Sequence, residues 1–175
     1  VDDDDDGRIG GAQFNSPFEE VSYAIQLDDA ARLWKSAWVM HKPLAIYVPA
    51  KRVEMRRVGR RESAMKALVE KHVEIELDMH RTYAVIYEWM PGLDATQAMD
   101  AGLIDNERMR ELTLDGDAEM RRLGFEVRDR KPHHVIIRHG SDGEPLHDGG
   151  CDFQCGLIDF ELLAPTPERE LEEHR

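Results

Sequence analysis

A Pro91-Gly92 break divides the 175-residue chain. The sequence before it reads mostly as strands, and after it as helices that lead into a β-hairpin. In the first half, Val21, Tyr23, Ile25 and Leu27 alternate with other residues, which predicts a strand. Asp28 or Asp29 is placed to cap a short helix through Ala30, Ala31, Leu33 and Trp34. Leu44–Val48 is a continuous apolar run bounded by Pro43 and Pro49, and it predicts a buried or edge strand. Arg60–His72 reads as a helix, with Ala64, Ala67, Leu68 and Lys71 on one stripe. Val73, Ile75 and Leu77 predict a strand, and Tyr83–Glu88 predicts another after a tight connection at Asp78–Thr82.

Beyond the break, Asp94 caps a short helix, and Asn106 or Asp105 starts a longer one that runs to about Leu123. Gly124 stands where a helix C-terminus wants a residue free to take positive φ. Val135–Ile137 and Gly156–Ile158 are short apolar strands separated by a polar, glycine-rich loop, His139–Gly150. The layout is α+β, in one domain spanning residues 1–175.

The formal net charge is −13, and so large a carboxylate excess argues against a nucleic-acid partner, whose phosphates need a basic surface. Much of that charge is terminal: Asp2–Asp6 at the start, and Glu168, Glu170, Glu172 and Glu173 at the end. Such runs repel themselves, so residues 1–12 and 166–175 are expected to be flexible acidic ends. No apolar stretch approaches the roughly 20 residues needed to cross a bilayer. No basic-then-apolar signal segment opens the sequence. Two cysteines make no disulfide framework, so a reduced, cytoplasmic protein with no membrane partner is expected.

Two segments carry the chemistry. Val127-Arg128-Asp129-Arg130-Lys131-Pro132-His133-His134 runs into the first hairpin strand, and Gly156-Leu157-Ile158-Asp159-Phe160-Glu161 contains the second. Asp129 lies just before one strand and Asp159 ends its partner, so the two carboxylates are expected to face one cleft. One could accept a proton from a hydroxyl while the other holds a divalent metal on a phosphate.

These segments resemble motifs of the protein-kinase superfamily. RDRKPHHVII is similar to the catalytic loop, H-R-D-L-K-P-x-N followed by an apolar strand. GLIDFE is similar to the D-F-G metal loop, including that of the small-molecule kinases that phosphorylate aminoglycosides and choline. YAVIYEWMPG, which precedes both, resembles the hinge between the kinase lobes. The resemblance covers roughly residues 45–165. It implies a kinase-like fold with a reduced N-lobe sheet, one helix packed on it, and a truncated helical C-lobe. It further implies ATP and a divalent metal, magnesium or manganese, as cofactors, and a hydroxyl acceptor or a protein partner.

By the same resemblance Asp129 takes the place of the catalytic aspartate and Lys131 that of the lysine contacting the transferred phosphate. Asp159 takes that of the metal-binding aspartate. Glu88, Trp89 and Met90 would offer backbone groups to an adenine ring, and Trp89 would line the cleft. Lys51 and Glu70 are the candidates for the strand lysine and its helix glutamate.

The sequence departs from the family in several places. His134 stands where the family keeps a metal-binding asparagine, and imidazole suits manganese better than magnesium. Val127 replaces the histidine of H-R-D, and Glu161 replaces the glycine of D-F-G. No glycine loop follows a strand; Gly7-Arg8-Ile9-Gly10-Gly11 is a weak candidate. Few residues follow Glu161 to build an activation segment. These departures set two functions side by side: a small phosphotransferase, and a pseudokinase or regulatory module without turnover. A third is a zinc-binding module built on His147, Cys151 and Cys155, beside His133, His134 and His139. Trp34 and Trp38 are expected in the core.

Overall fold

The computed structural model describes residues 15–52, 66, 70, 77, 78, 80–148 and 152–173. The acidic run, Gly7–Gly11, Cys151, and nearly all of the expected helix Arg60–His72 and strand Val73–Leu77 lie outside the described residues.

The first element is a helix, α1, over Pro17–Leu33. This corrects both the strand expected through Val21–Leu27 and the separate short helix after it. Ser16 and Glu19 make a reciprocal capping box, and Pro17 presets the first helical φ. The residues α1 buries are Ala24, Leu27 and Ala31, a helical stripe built largely from alanine. The larger apolar residues that suggested alternation lie mostly off it, and Ile25 is 47% exposed.

Two short strands follow, β1 (Val39–Met40) and β2 (Pro43–Tyr47), and then β3 (Ala84–Tyr87), which pairs antiparallel with β2. α1 packs against this hairpin. β4 (Gly92–Asp94) leads into α2 (Ala95–Asp100), which Asp94 caps as expected, and α3 covers Asn106–Arg122 with Asp105 as its cap. Gly124 ends α3 at φ +86°, the left-handed conformation a glycine takes without penalty.

β5 (Phe125–Val127), a 3-10 turn (Pro132–His134), β6 (Val135–Arg138), β7 (Cys155–Leu157) and β8 (Leu163–Pro165) complete the strands. The main sheet has the order β1-β7-β6-β4, with β1 parallel to β7 and the other pairs antiparallel; β5 pairs with β8.

The core joins α1, α3 and this sheet around Phe125, Phe160, Leu27, Ile137 and Leu163, all essentially inaccessible. Trp38 packs against that core, whereas Trp34 is 64% exposed at the end of α1 and is not a core residue.

The C-terminal segment is not a loose tail across its described residues. Pro167–Glu173 forms a helix, α4. Thr166 N–H donates to Gly124 O at 3.0 Å, Arg169 lies 4.3 Å over the Phe125 ring, and its guanidinium donates to Gln26. Local charge repulsion is outweighed by these contacts to distant parts of the chain. Among the described residues no helix is long and apolar enough to cross a membrane.

Candidate functional site

The β6–β7 register builds the site. Val135 faces Leu157 and Ile137 faces Cys155, so one step beyond the ladder His134 O accepts from Ile158 N–H at 3.0 Å. Val135, Ile136 and Ile137 are all buried, as are Cys155 and Leu157, so both faces of this strand pair are covered. His134 and Asp159 are thereby brought together, with Nε2 3.2 Å from Oδ2. Pro132 starts the 3-10 turn, and His134 N–H closes it on Lys131 O at 3.0 Å.

Asp159 has φ +66°, in the left-handed region that side-chain-bearing residues rarely occupy. The turn it makes sends Phe160 into the core, 1% exposed, while the Asp159 carboxylate stays 42% exposed. Such a conformation costs about 1–3 kcal/mol and persists only where surrounding packing imposes it. Here the buried Phe160 ring is that packing.

Asp129 and Lys131 form an ion pair at 2.5 Å. Their charges and that of Asp159 act on the same neighbours. Burial, followed by Asp159 and Asp129, pushes the Glu161 carboxyl above its ordinary range, against the opposing effect of Lys131. The hydrogen bond to Asp129 raises the Lys131 ammonium, and Asp159 and Glu161 add to it. Burial lowers the His134 imidazole, while Asp159 and Asp129 act to raise it. The four expected residues of the two motifs, Asp129, Lys131, His134 and Asp159, therefore gather in one place.

Three further residues join them that the sequence did not single out. Tyr87 O–H donates to Glu20 Oε1 at 2.6 Å. Burial, and then Glu161 and Asp159, raise the Glu20 carboxyl against that hydrogen bond. Burial and the Glu20 contact raise the Tyr87 phenol. His41 stacks on Tyr87 with centroids 4.3 Å apart, and burial lowers its imidazole. The carboxylate that α1 brings to this site is Glu20. Glu70 and Lys51 are both exposed, and among the described residues no ion pair joins them. The sequence signal for Glu20 was the capping box, which places α1 and its first-turn acids.

The hinge-like run is also altered. Glu88 N–H donates to Lys42 O at 2.9 Å, and Glu88 O meets His41 Nε2 at 2.9 Å. Both Glu88 backbone groups are therefore engaged within the protein rather than presented to a ring. Trp89 is 82% exposed. The Met90 side chain lies on Gly156; a Cβ there would come 2.1 Å from its sulfur.

The zinc constellation does not assemble among the described residues. Cys155 is buried in the core, and burial pushes its thiol up to about 12, which disfavours the thiolate that binds metal. His147 stacks on Phe153, and His133 meets Asp94 at 3.3 Å. Among the described residues no three His, Cys, Asp or Glu side chains form a ready-made cage for a metal. Asp159 Oδ2 and His134 Nε2 are two convergent donors. A hard divalent ion that takes its other ligands from phosphate and water is held by about that many.

No protein-family model matches the sequence, and no curated protein matches it. Among solved structures, a co-crystal structure of WbdD with the kinase inhibitor LY294002 is similar at 16% identity and a TM-score of 0.39. A 2.2 Å crystal structure of WbdD is similar at 15% identity and the same TM-score of 0.39. Each match covers 89% of this chain and 27% of the solved chain, so the present chain spans about a quarter of their length. A likeness this loose leaves the chemistry to be argued from the site's own residues.

Proposed function

We propose that the chain is a kinase-like nucleotide-binding protein and a candidate ATP-dependent phosphotransferase to a hydroxyl acceptor. The observation that carries this is the convergence of Asp129, Lys131, His134 and Asp159 on one hairpin mouth, in the order the motifs require. Asp129 is the group to orient and deprotonate the acceptor. Lys131, paired with it and exposed, supplies positive charge for the transferred phosphate. Asp159 and His134 would hold the divalent ion, which neutralises phosphate charge when bound. Glu20 takes the place of the helix glutamate, and the exposed Trp89 indole offers a face for the base.

A second function, nucleotide or partner binding without turnover, is favoured by the engagement of both Glu88 backbone groups within the protein. The test is the melting temperature with millimolar ATP or ADP and magnesium or manganese. A ligand that binds only the native state raises it, by about 2.7 kcal/mol of stability at 100 times the Kd. No shift with either ion would sink both nucleotide readings. A shift without ATPase or phosphotransfer activity would leave the second.

A further inference from the structure

Beneath the hairpin mouth lies a small cavity of about 20 Å³, lined by residues of α3, the loop after β5 and the β6–β7 pair. Asp117 and His134 both line it. Each carries a buried polar atom with no protein partner, Asp117 Oδ1 and His134 Nδ1. The other oxygen of Asp117 is well used: Oδ2 accepts from Arg130 and forms an ion pair with Arg121 at 3.2 Å. The Asp117 side chain is 9% exposed. An orphaned buried acceptor of this kind costs about 1–3 kcal/mol, and more when charged. Thr113 lines the same space; its hydroxyl proton goes to Met109 O at 2.8 Å, which leaves the oxygen able to accept. The rest of the wall is largely apolar, including Met120, Val135 and Leu157.

A cavity holds a water once it offers roughly 10–15 Å³ and two to four polar partners. This one meets both conditions. We propose that it is a built site for a single water bridging Asp117 Oδ1 to His134 Nδ1, and that Asp117 is thereby a positioning residue for His134.

The chemistry explains why a water serves better than a direct carboxylate. When the ring hydrogen sits on Nε2, beside Asp159, Nδ1 is a bare acceptor. The water then gives one hydrogen to Nδ1 and the other to Asp117 Oδ1. When Nε2 instead serves as a ligand, the hydrogen sits on Nδ1. The same water rotates to accept it and still donates to Asp117. A carboxylate in direct contact could only accept and would hold the ring in one tautomer. Through Arg130, Asp117 also fastens the loop between Asp129 and Lys131, so one buried side chain acts at two points of the first motif segment.

The metal consequence rests on the proposed nucleotide–metal function; the water does not. A crystal structure of the full chain at high resolution should show density within hydrogen-bonding distance of both Asp117 Oδ1 and His134 Nδ1. An empty cavity, or a peak that touches neither atom, overturns the proposal. Titration of manganese with ADP then tests the positioning role. Asp117→Asn, which keeps the volume, should weaken manganese about tenfold, at the lower end of outer-shell effects. In a His134→Asn background it should cause no further loss. An equal loss in both backgrounds means that Asp117 does not act through His134, and overturns that role. Arg130→Met separates the loop contact, and should leave the water density in place. Wild-type protein that takes up no manganese overturns the metal function and the positioning role together, while the density decides the water by itself.

Discussion

Gly92 is the residue whose replacement should damage this fold most for the fewest atoms. It pairs with Arg138 at the start of β4, as the last residue of the hinge-like run, and has φ +155°. A Cβ built there would lie 2.2 Å from Ile137 O and 2.6 Å from Ile136 Cγ2. Neither neighbour can step aside. Ile137 is fully buried and its backbone is held in the ladder to β7, while Ile136 is 8% exposed. Alanine would therefore have to force β4 off β6. Backbone strain in this region costs about 1–3 kcal/mol, and overpacking against an immovable wall about another 1–3 kcal/mol. Gly92→Ala should thus lose about 4 kcal/mol, a large share of the ~5–15 kcal/mol of a typical domain.

Gly102→Ala is the internal control. Its φ is +73°, but nothing lies within 4 Å of the added carbon. It should lose only the left-handed penalty, about 1 kcal/mol. Urea unfolding followed by circular dichroism measures both. With a slope of about 2 kcal/mol/M, Gly92→Ala should lower the midpoint by about 2 M and Gly102→Ala by about 0.5 M. Midpoints for the two variants that agree within error would refute the packing argument and the β4–β6 register behind it.

The candidate aspartates should separate by assay. Asp129→Asn should abolish phosphotransfer while leaving nucleotide affinity nearly intact, whereas Asp159→Asn should weaken metal–nucleotide binding, measured by calorimetry; turnover unchanged in Asp129→Asn would end the catalytic assignment. Glu161→Gln should show a pH signature. Because burial and Asp159 raise the folded Glu161 carboxyl, its contribution is most favourable below the unfolded value of about 4.5 and is lost as pH rises. Removing the charge should then raise the melting temperature at pH 7 and change nothing at pH 4; a gain of equal size at both would mean that charge is not the cause.

The second half of the fold was legible because its signals are local. Asp94 and Asp105 satisfy N–H groups two or three residues ahead, Gly124 takes the left-handed φ of a helix C-terminus, and the hairpin strands are continuous apolar runs. The first half misled because α1 buries small residues. A stripe of Ala24, Leu27 and Ala31 carries little apolar contrast, so the alternation of larger residues nearby outweighed it. The correct signal was polar and lay earlier, at Ser16 and Glu19. The C-terminal helix failed for the opposite reason. Its local sequence is repulsive, and contacts to Gly124, Leu123, Gln26 and Phe125 help hold it.

The candidate site divides along the same line. Asp129, Lys131, His134 and Asp159 sit within two short segments, and the hairpin between them brings the segments together. Glu20, His41 and Tyr87 come from three separate elements that meet only when α1 packs on the β2–β3 hairpin and β1 pairs with β7. Their arrival changes the electrostatics of the mouth. Asp159 acts on both Glu161 and Glu20, and Lys131 opposes the rise of Glu161. Burial raises both glutamates, and the neighbouring carboxylates add to it. A divalent ion with its phosphates near Asp159 would relieve that imbalance, and the buried Asp117 side, already carrying two arginines, does not need it.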